Sequence, residues 1–326
     1  MMTMDAVAGS FTVGLTERWP GGGSARPITP GAACQLTLDD EPLITGYIDQ
    51  VSPYYSNDEH AVTVTGRDKT GDLVDCAAAS GEWRGLKLDA IVSELARPFG
   101  ISVRADADVG AAFEKFRTQE GEVAWAAIDR ACKARAVLAM ADGYGNVILT
   151  RATASSDDPV PVILGGKDGS VLSGTGTFSA NERFSAYTIK AQRGGLDGTP
   201  EDRAHVIAEA KDSGVARYRP TMMIARDRMD AASAAAQVQW VCNVRRGQAL
   251  RVTYTMAGWR TASGKVWRPN TIVRVRDDWL SIDRDLIVVS VRLAVSGDGT
   301  ETTIDLTDPS AYMPEPASPD EAELGW

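Results

Sequence analysis

The sequence predicts a mainly β protein with a small α/β unit in its middle, and three observations carry that reading. Apolar residues alternate with polar ones in several segments toward both ends, the period of half-buried strands. Helical spacing is confined to the middle and to one later alanine-rich stretch. A β-hairpin is also written twice. The first copy runs from Leu38-Asp-Asp-Glu-Pro-Leu-Ile44 through Tyr54-Tyr55 and the polar turn Ser56 to Glu59 into Val62-Thr-Val-Thr-Gly-Arg-Asp68. The second runs from Ile282-Asp-Arg-Asp-Leu-Ile287 through Val295 and Gly297-Asp-Gly299 into Thr302-Thr-Ile-Asp-Leu-Thr-Asp308. Short amphipathic hairpins also resemble one another by chance; a true repeat gives each chain two related β modules.

Residues 1–98 read as a first β region with a following helix. Phe11, Val13 and Leu15 alternate, as do Cys34, Leu36 and Leu38, then Val62 and Val64. The loop Trp19 to Pro27 is too rich in glycine and proline to pack, and no Gly-Lys-Ser/Thr follows it, so a projecting loop is expected instead of a phosphate cradle. Leu88, Ile91, Val92, Leu95 and Ala96 share one helical face, stopped by Pro98. Residues 99–155 read as the α/β unit. Its helix spans about 121–135, with Val123, Ala127, Ile128 and Ala131 on one side, and leads into a hairpin turning at Asp142-Gly-Tyr-Gly145. Residues 156–308 read as a second β region, with a strand at 184–192, a polar insertion at 193–225 and an alanine-rich helix at 226–242. Leu250, Val252, Tyr254 and Met256 then face one way and Arg251, Thr253 and Thr255 the other, with further strands at 271–276 and 286–295. Residues 309–326 form an acidic, proline-rich tail expected to be extended or disordered.

At 326 residues the chain has room for two to four domains with real cores. The start lacks a basic segment followed by an apolar one, so no cleaved secretory signal is expected. No run approaches the roughly 18–20 apolar residues of a membrane span, so no membrane insertion by this chain is expected. Cys34, Cys76, Cys132 and Cys242 lie far apart without a C-x-x-C, which suits reduced, buried thiols better than disulfides or zinc. The net charge of −10 is unevenly spread: no basic residue follows Arg292, whereas eight acids do, leaving 34 bases against 44 − 8 = 36 acids before it. Conversely, Arg245 to Arg276 holds seven arginines and one lysine with no acid.

Catalytic chemistry finds little to use. His60 falls in a turn and His205 in the polar insertion, both settings of solvated side chains. The pairs Asp39/Asp40 and Asp277/Asp278 could serve as acid and base in glycoside hydrolysis, but each sits at a strand end, where aspartate caps local backbone. No nucleophile elbow, zinc-binding HExxH, P-loop or dinucleotide fingerprint occurs. No catalytic, metal or cofactor residue is assigned. The basic belt is the candidate site: Arg245, Arg246, Arg251, Arg268, Arg274 and Arg276 with Trp259, Trp267 and Trp279, a composition suited to a protein interface. Arginine interleaved with Tyr254 and tryptophan can also stack on nucleic acid, though an acidic chain argues against that, and a merely solvated face is the third reading. The belt carries +8 and residues 293–326 carry −8, so that acidic segment, from the same or an adjacent chain, is its expected partner.

One segment, Val62 to Ala78 (Val-Thr-Val-Thr-Gly-Arg-Asp-Lys-Thr-Gly-Asp-Leu-Val-Asp-Cys-Ala-Ala), closely resembles a stretch in the baseplate hub proteins of Mu-like contractile-tailed phages. Further matching pieces follow the family's order: Leu43-Ile-Thr-Gly-Tyr-Ile-Asp49, Asn181-Glu-Arg-Phe-Ser-Ala-Tyr187, Trp267-Arg-Pro-Asn270 with Val275-Arg-Asp-Asp-Trp-Leu-Ser-Ile282, and Leu306-Thr-Asp-Pro-Ser-Ala-Tyr-Met-Pro-Glu-Pro316. The resemblance implies a non-enzymatic homotrimer, made in the host bacterial cytoplasm and housed in the virion's tail baseplate. Each chain would give two β-barrel-like tube domains to a pseudo-sixfold ring, similar in fold to the first part of type VI secretion spike proteins. The implied partners are other copies of the chain, the tail spike, and the tail tube or adjacent baseplate proteins. Tape-measure protein and DNA would pass through the channel. The alternatives are the hub part of a secretion spike, which would continue into a needle, and a tail-borne cell-wall-degrading enzyme, which would need a carboxylate or metal cleft.

Overall fold

The computed structural model describes residues 1–15, 28–57, 60–152, 160–166, 171–192, 205–225, 229–297 and 299–316. The glycine-rich loop, most of the first linker, the start of the polar insertion and the end of the tail lie outside these residues.

The first region contains β1 (Met2–Thr3), β2 (Ser10–Leu15), β3 (Ala33–Leu38), β4 (Glu41–Tyr55) and β5 (His60–Asp68). Strands β2 to β5 pair antiparallel in the order β2-β5-β4-β3. Alternation places Phe11, Ile44, Ile48 and Val64 together in a small apolar core. The pairing of β4 with β5 steps over Asp49, a β-bulge between Ile48 and Gln50. An inserted residue of this kind bends the strand and increases its twist.

The middle unit comprises α1 (Gly71–Asp75), β6 (Glu82–Trp83), α2 (Leu88–Ala96), β7 (Val103–Ala105), β8 (Phe116–Arg117), α3 (Ala124–Lys133), β9 (Leu138–Ala141) and β10 (Val147–Thr150). A short sheet, β7-β10-β9, carries the helices. The five apolar residues of α2 are fully buried with Ala127, Ile128, Val147 and Leu149. The helix grouped by sequence with the first β region therefore packs in the middle unit, because its apolar face finds α3 and not β2–β5. Burial pushes the Cys132 thiol up to about 12.

The last region holds β11 (Val162–Leu164), β12 (Val171–Phe178), β13 (Ala186–Gln192), β14 (His205–Lys211), β15 (Pro220–Ile224), α4 (Ala231–Gln248), β16 (Leu250–Ala257), β17 (Ile272–Asp277), β18 (Ile282–Ser296) and β19 (Gly299–Thr307). Its central strands run β16-β19-β18-β17, which repeats β2-β5-β4-β3 in both strand order and chain order. The repeat extends to detail. Strands β4 and β18 are each 15 residues long, β5 and β19 nine, β3 and β17 six. The pairing of β18 with β19 steps over Val289 much as that of β4 steps over Asp49. The hairpin echo is thus part of a duplicated four-stranded sheet. The second copy is widened by β12 beside β16, by β11 parallel to β17, and by β1 on β18.

The polar insertion contains β14 and β15, which flank β13, and α4 covers one face through Ala234, Val238 and Cys242 against Tyr187 and Ile189. An Asp230–Ser233 capping box starts α4, which runs on to Gln248 and so makes Arg245 and Arg246 its last turn. The expectation of an extended tail is corrected: its described part, up to Pro316, packs back on α4. The Trp240 indole donates to Met313 O at 2.8 Å and Ser310 Oγ to Asn243 O at 3.2 Å. Of the thiols, Cys132 and Cys242 are buried, Cys34 is half-buried and Cys76 is exposed.

Gly66 on β5 lies where a Cβ would fall 2.3 Å from Tyr47 O and 2.6 Å from the Phe11 ring, whereas Gly14 on β2 has open space. Gly66→Ala should cost about 1–3 kcal/mol, read as a lower urea midpoint, while Gly14→Ala should leave the midpoint nearly unchanged.

Candidate functional site

The basic belt does not form one surface. Folding divides it according to the acids that each stretch meets. Arg245, at the end of α4, pairs with Glu182 at 2.5 Å, and Arg246 donates to Asn243 Oδ1 at 3.3 Å. Arg274 and Arg276 share a face of β17, as their spacing requires, and meet Asp283 and Asp285 across the hairpin at 2.5, 3.4 and 3.8 Å. Arg251 is exposed on β16. Among the described residues the tail within one chain meets Gln237, Trp240 and Asn243 of α4 and Asp5, and forms no ion pair with the belt arginines.

The tryptophans also part company. Trp267 is buried in the core of the second sheet, in one cluster with Val273 and Val275. Trp259 is half-buried and donates to Ala294 O at 2.8 Å. Trp279, in the β17–β18 turn, is 89% exposed.

The belt's Arg268, together with Arg260, builds a polar contact between the two sheets. Arg268 and Arg260 leave the loop between β16 and β17 and reach the β3–β4 turn of the first sheet. Arg268 Nη2 donates to Glu41 Oε1 at 2.7 Å and to Pro42 O at 2.9 Å, and its Nη1 lies 3.4 Å from Met2 Sδ. Arg260 Nη2 donates to Asp39 Oδ2 at 2.6 Å while Nη1 holds its own loop through Gly264 O at 2.9 Å. Sequence reasoning missed Arg260 and both acids as site residues, though Asp39-Asp40-Glu41 is visible as an acidic hairpin tip.

The α/β unit braces the same junction. Gly143, at φ 81°, lets the turn of its hairpin approach β4 so closely that a Cβ would sit 2.9 Å from Leu43 O. Thr45 donates to Gly143 O at 3.0 Å, and Met140 of β9 packs on Ile287 and Val289 of the second sheet. Between the three units lies a cavity of about 380 Å³, lined among others by Glu41, Asp68, Asp106, Asp142 and Arg268. Asp68 is 3% exposed; burial holds its carboxyl above the ordinary range, opposed by hydrogen bonds from Thr70 N and Oγ1 at 2.9 and 2.8 Å. Arg67 anchors the bulge residue Asp49 at 2.8 Å and Asp75 of α1 at 2.6 Å.

One member of each carboxylate pair has a structural partner. Asp39 belongs to the clamp, and Asp277, 6% exposed, accepts from Tyr254 Oη and Leu280 N, each at 2.9 Å. His60 packs edge-on to Tyr55, and the His205 side chain lies outside the described residues. Among the described residues no group of three or more His, Cys, Asp or Glu could hold a metal ion. Among the described residues no helix is long and apolar enough to cross a membrane.

Comparison with known proteins places these features in one family. Residues 2–68 match the family described as Mu phage baseplate assembly protein GpP-like, N-terminal. Residues 70–151 match the second domain of baseplate hub protein gp44-like, and residues 230–315 the fourth domain of Mu phage baseplate assembly protein GpP. Baseplate hub protein gp44 of Escherichia phage Mu is 31% identical over 325 residues, covering 95% of this chain and 83% of that one. The 43 kDa tail protein of prophage MuSo2 from Shewanella oneidensis is 32% identical with a TM-score of 0.82, covering 97% and 94%. A tail protein from Neisseria meningitidis MC58 shares the fold at 23% identity and a TM-score of 0.75, covering 94% and 90%.

Two outcomes are expected. Arg268→Ala should lower stability by about 1–3 kcal/mol in urea titrations, since it strips charged hydrogen bonds from a half-buried junction, and Arg268→Lys should recover little because one ammonium cannot serve both acceptors in the guanidinium's fixed geometry. A carboxyl raised in the folded state favours folding most when protonated, so the stability contributed by Asp68 is present below its unfolded pKa and falls as pH rises through its folded pKa. Compared with wild type, Asp68→Asn should therefore gain stability progressively as pH rises above about 4, read as a rising difference between their urea midpoints across pH.

Proposed function

This chain belongs to the Mu-type phage baseplate hub family, and from that membership we propose that it works as a homotrimeric adaptor between tail tube and spike. It is a structural component of the phage tail baseplate, not an enzyme. In the proposed assembly each copy contributes its two four-stranded sheets as tube domains, so three chains give six similar modules around a channel. The sixfold tube rests on one side and the threefold spike on the other, while tape-measure protein and then DNA pass through. The α/β unit and the α4 lobe serve as outer supports.

The duplicated sheet carries this reading: equivalent strand orders, lengths and bulges in β2–β5 and β16–β19 give one chain two interchangeable ring positions. The charge arrangement agrees with it. A lumen rich in free arginines would bind DNA phosphates and slow passage, and Arg274 and Arg276 are occupied by Asp283 and Asp285.

Light scattering combined with negative-stain microscopy tests the proposal. Three subunits in a ring with six lobes are expected, and a compact monomer at all concentrations refutes it.

A further inference from the structure

The contact between the two sheets is one-way. The β3–β4 turn of the first sheet is held by Arg260 and Arg268 from the β16–β17 loop of the second. The matching turn of the second sheet, between β17 and β18, has the same place in the repeat. It also holds one residue in the left-handed region, Ser281 at φ 55°, as Asp39 is at φ 55° in the first turn. Among the described residues its hydrogen bonds, however, do not reach the first sheet: Leu280 N donates to Asp277 Oδ1 at 2.9 Å and Ser281 N to Asp278 O at 3.3 Å, while Asp277 Oδ2 accepts from Tyr254 Oη of its own sheet at 2.9 Å. At its tip Asp278 is exposed and Trp279 is 89% exposed.

This asymmetry has a geometric meaning. Two related modules facing each other across a twofold axis make each contact twice, so the second turn would grip the first sheet in return. A contact made only once is head-to-tail, and a head-to-tail pair leaves one unused half at each end. Another pair satisfies that half, and the series closes when the rotation permits.

We infer that the β17–β18 turn, Asp278 to Ser281, is the outgoing contact between copies of this chain, with Trp279 anchoring it on the first sheet of a second copy. The inference rests on the ring proposed above and assigns the surface that closes it. The two turns also differ in the way that their tasks require. Within one chain the partner is tethered at high effective concentration, so the ion pairs of Asp39 and Glu41 suffice. Between chains the contact must offset lost translational and rotational freedom, which favours a large, rigid aromatic anchor in place of exposed charges. The first turn carries three acids, Asp39-Asp40-Glu41, and the second sets one exposed acid, Asp278, beside the exposed Trp279.

Sedimentation of the full chain over a range of concentrations, wild type beside Trp279→Ala, tests the assignment. Loss of a central tryptophan anchor is expected to weaken association about 30-fold or more. The urea midpoint of the dissociated chain should be unchanged, because the side chain touches little in its own subunit. Hydrogen exchange supplies a second reading on the wild type: the amides of residues 279–281 should exchange slowly in the assembled form and quickly after dilution. Unaltered assembly of Trp279→Ala, or equal exchange in both forms, overturns the inference and leaves the ring standing. A wild type that stays monomeric at every concentration overturns the ring and the inference together.

Discussion

The guanidinium of Arg268 sets the relation between the two sheets, and the rest of the architecture depends on that relation. A half-buried charge must be paired and hydrogen-bonded to avoid a desolvation cost. Here the satisfying groups, Glu41 and Pro42 O, come from a hairpin 227 and 226 residues away in the chain. The first sheet therefore cannot slide along the second without stranding this charge. Arg260 adds a second pairing to the same turn, and Gly143 lets the α/β hairpin close over β4. The N-terminal strand β1 completes the junction by pairing with β18.

The duplication explains why so many local features recur and why they differ. Each module needs a long strand that pairs over its first half with one neighbour and over its second half with another. In both sheets a bulge falls near the start of the second pairing. The modules diverge at their margins. The first leads into a helical unit through Asp68 and Thr70, and the second is broadened by β11, β12 and β1. Shared cores with unlike margins let equivalent positions in a ring be filled by inequivalent partners.

Much of this was legible in residue order because period-two alternation reports burial locally. Leu250, Val252, Tyr254 and Met256 all face the second core as their spacing requires, and Leu88 to Ala96 forms the expected helix. The strands within the polar insertion were not legible, because β14 and β15 are defined by their pairing with β13 and not by a pattern of their own. The tail was misread because proline and acid suggest extension, whereas Trp240 on α4 supplies a donor to which Met313 returns. The belt was legible as a composition but not as a surface. Clustering in sequence says that arginines are present, not which acids their strands will bring opposite.

The sequence by itself therefore determined which residues could be strand, helix or core, the recurrence of a hairpin, the family resemblance, and the lack of a catalytic motif. All of these rest on patterns within a few residues or on their order along the chain. Tertiary structure alone decided that Trp267 is core, Trp259 half-buried and Trp279 exposed, and that Arg268 grips Glu41 while Arg274 grips Asp283. The physical reason is that burial and ion pairing depend on which distant segments meet. The three tryptophans sit in similar turn sequences, and only strand pairing across the molecule separates them.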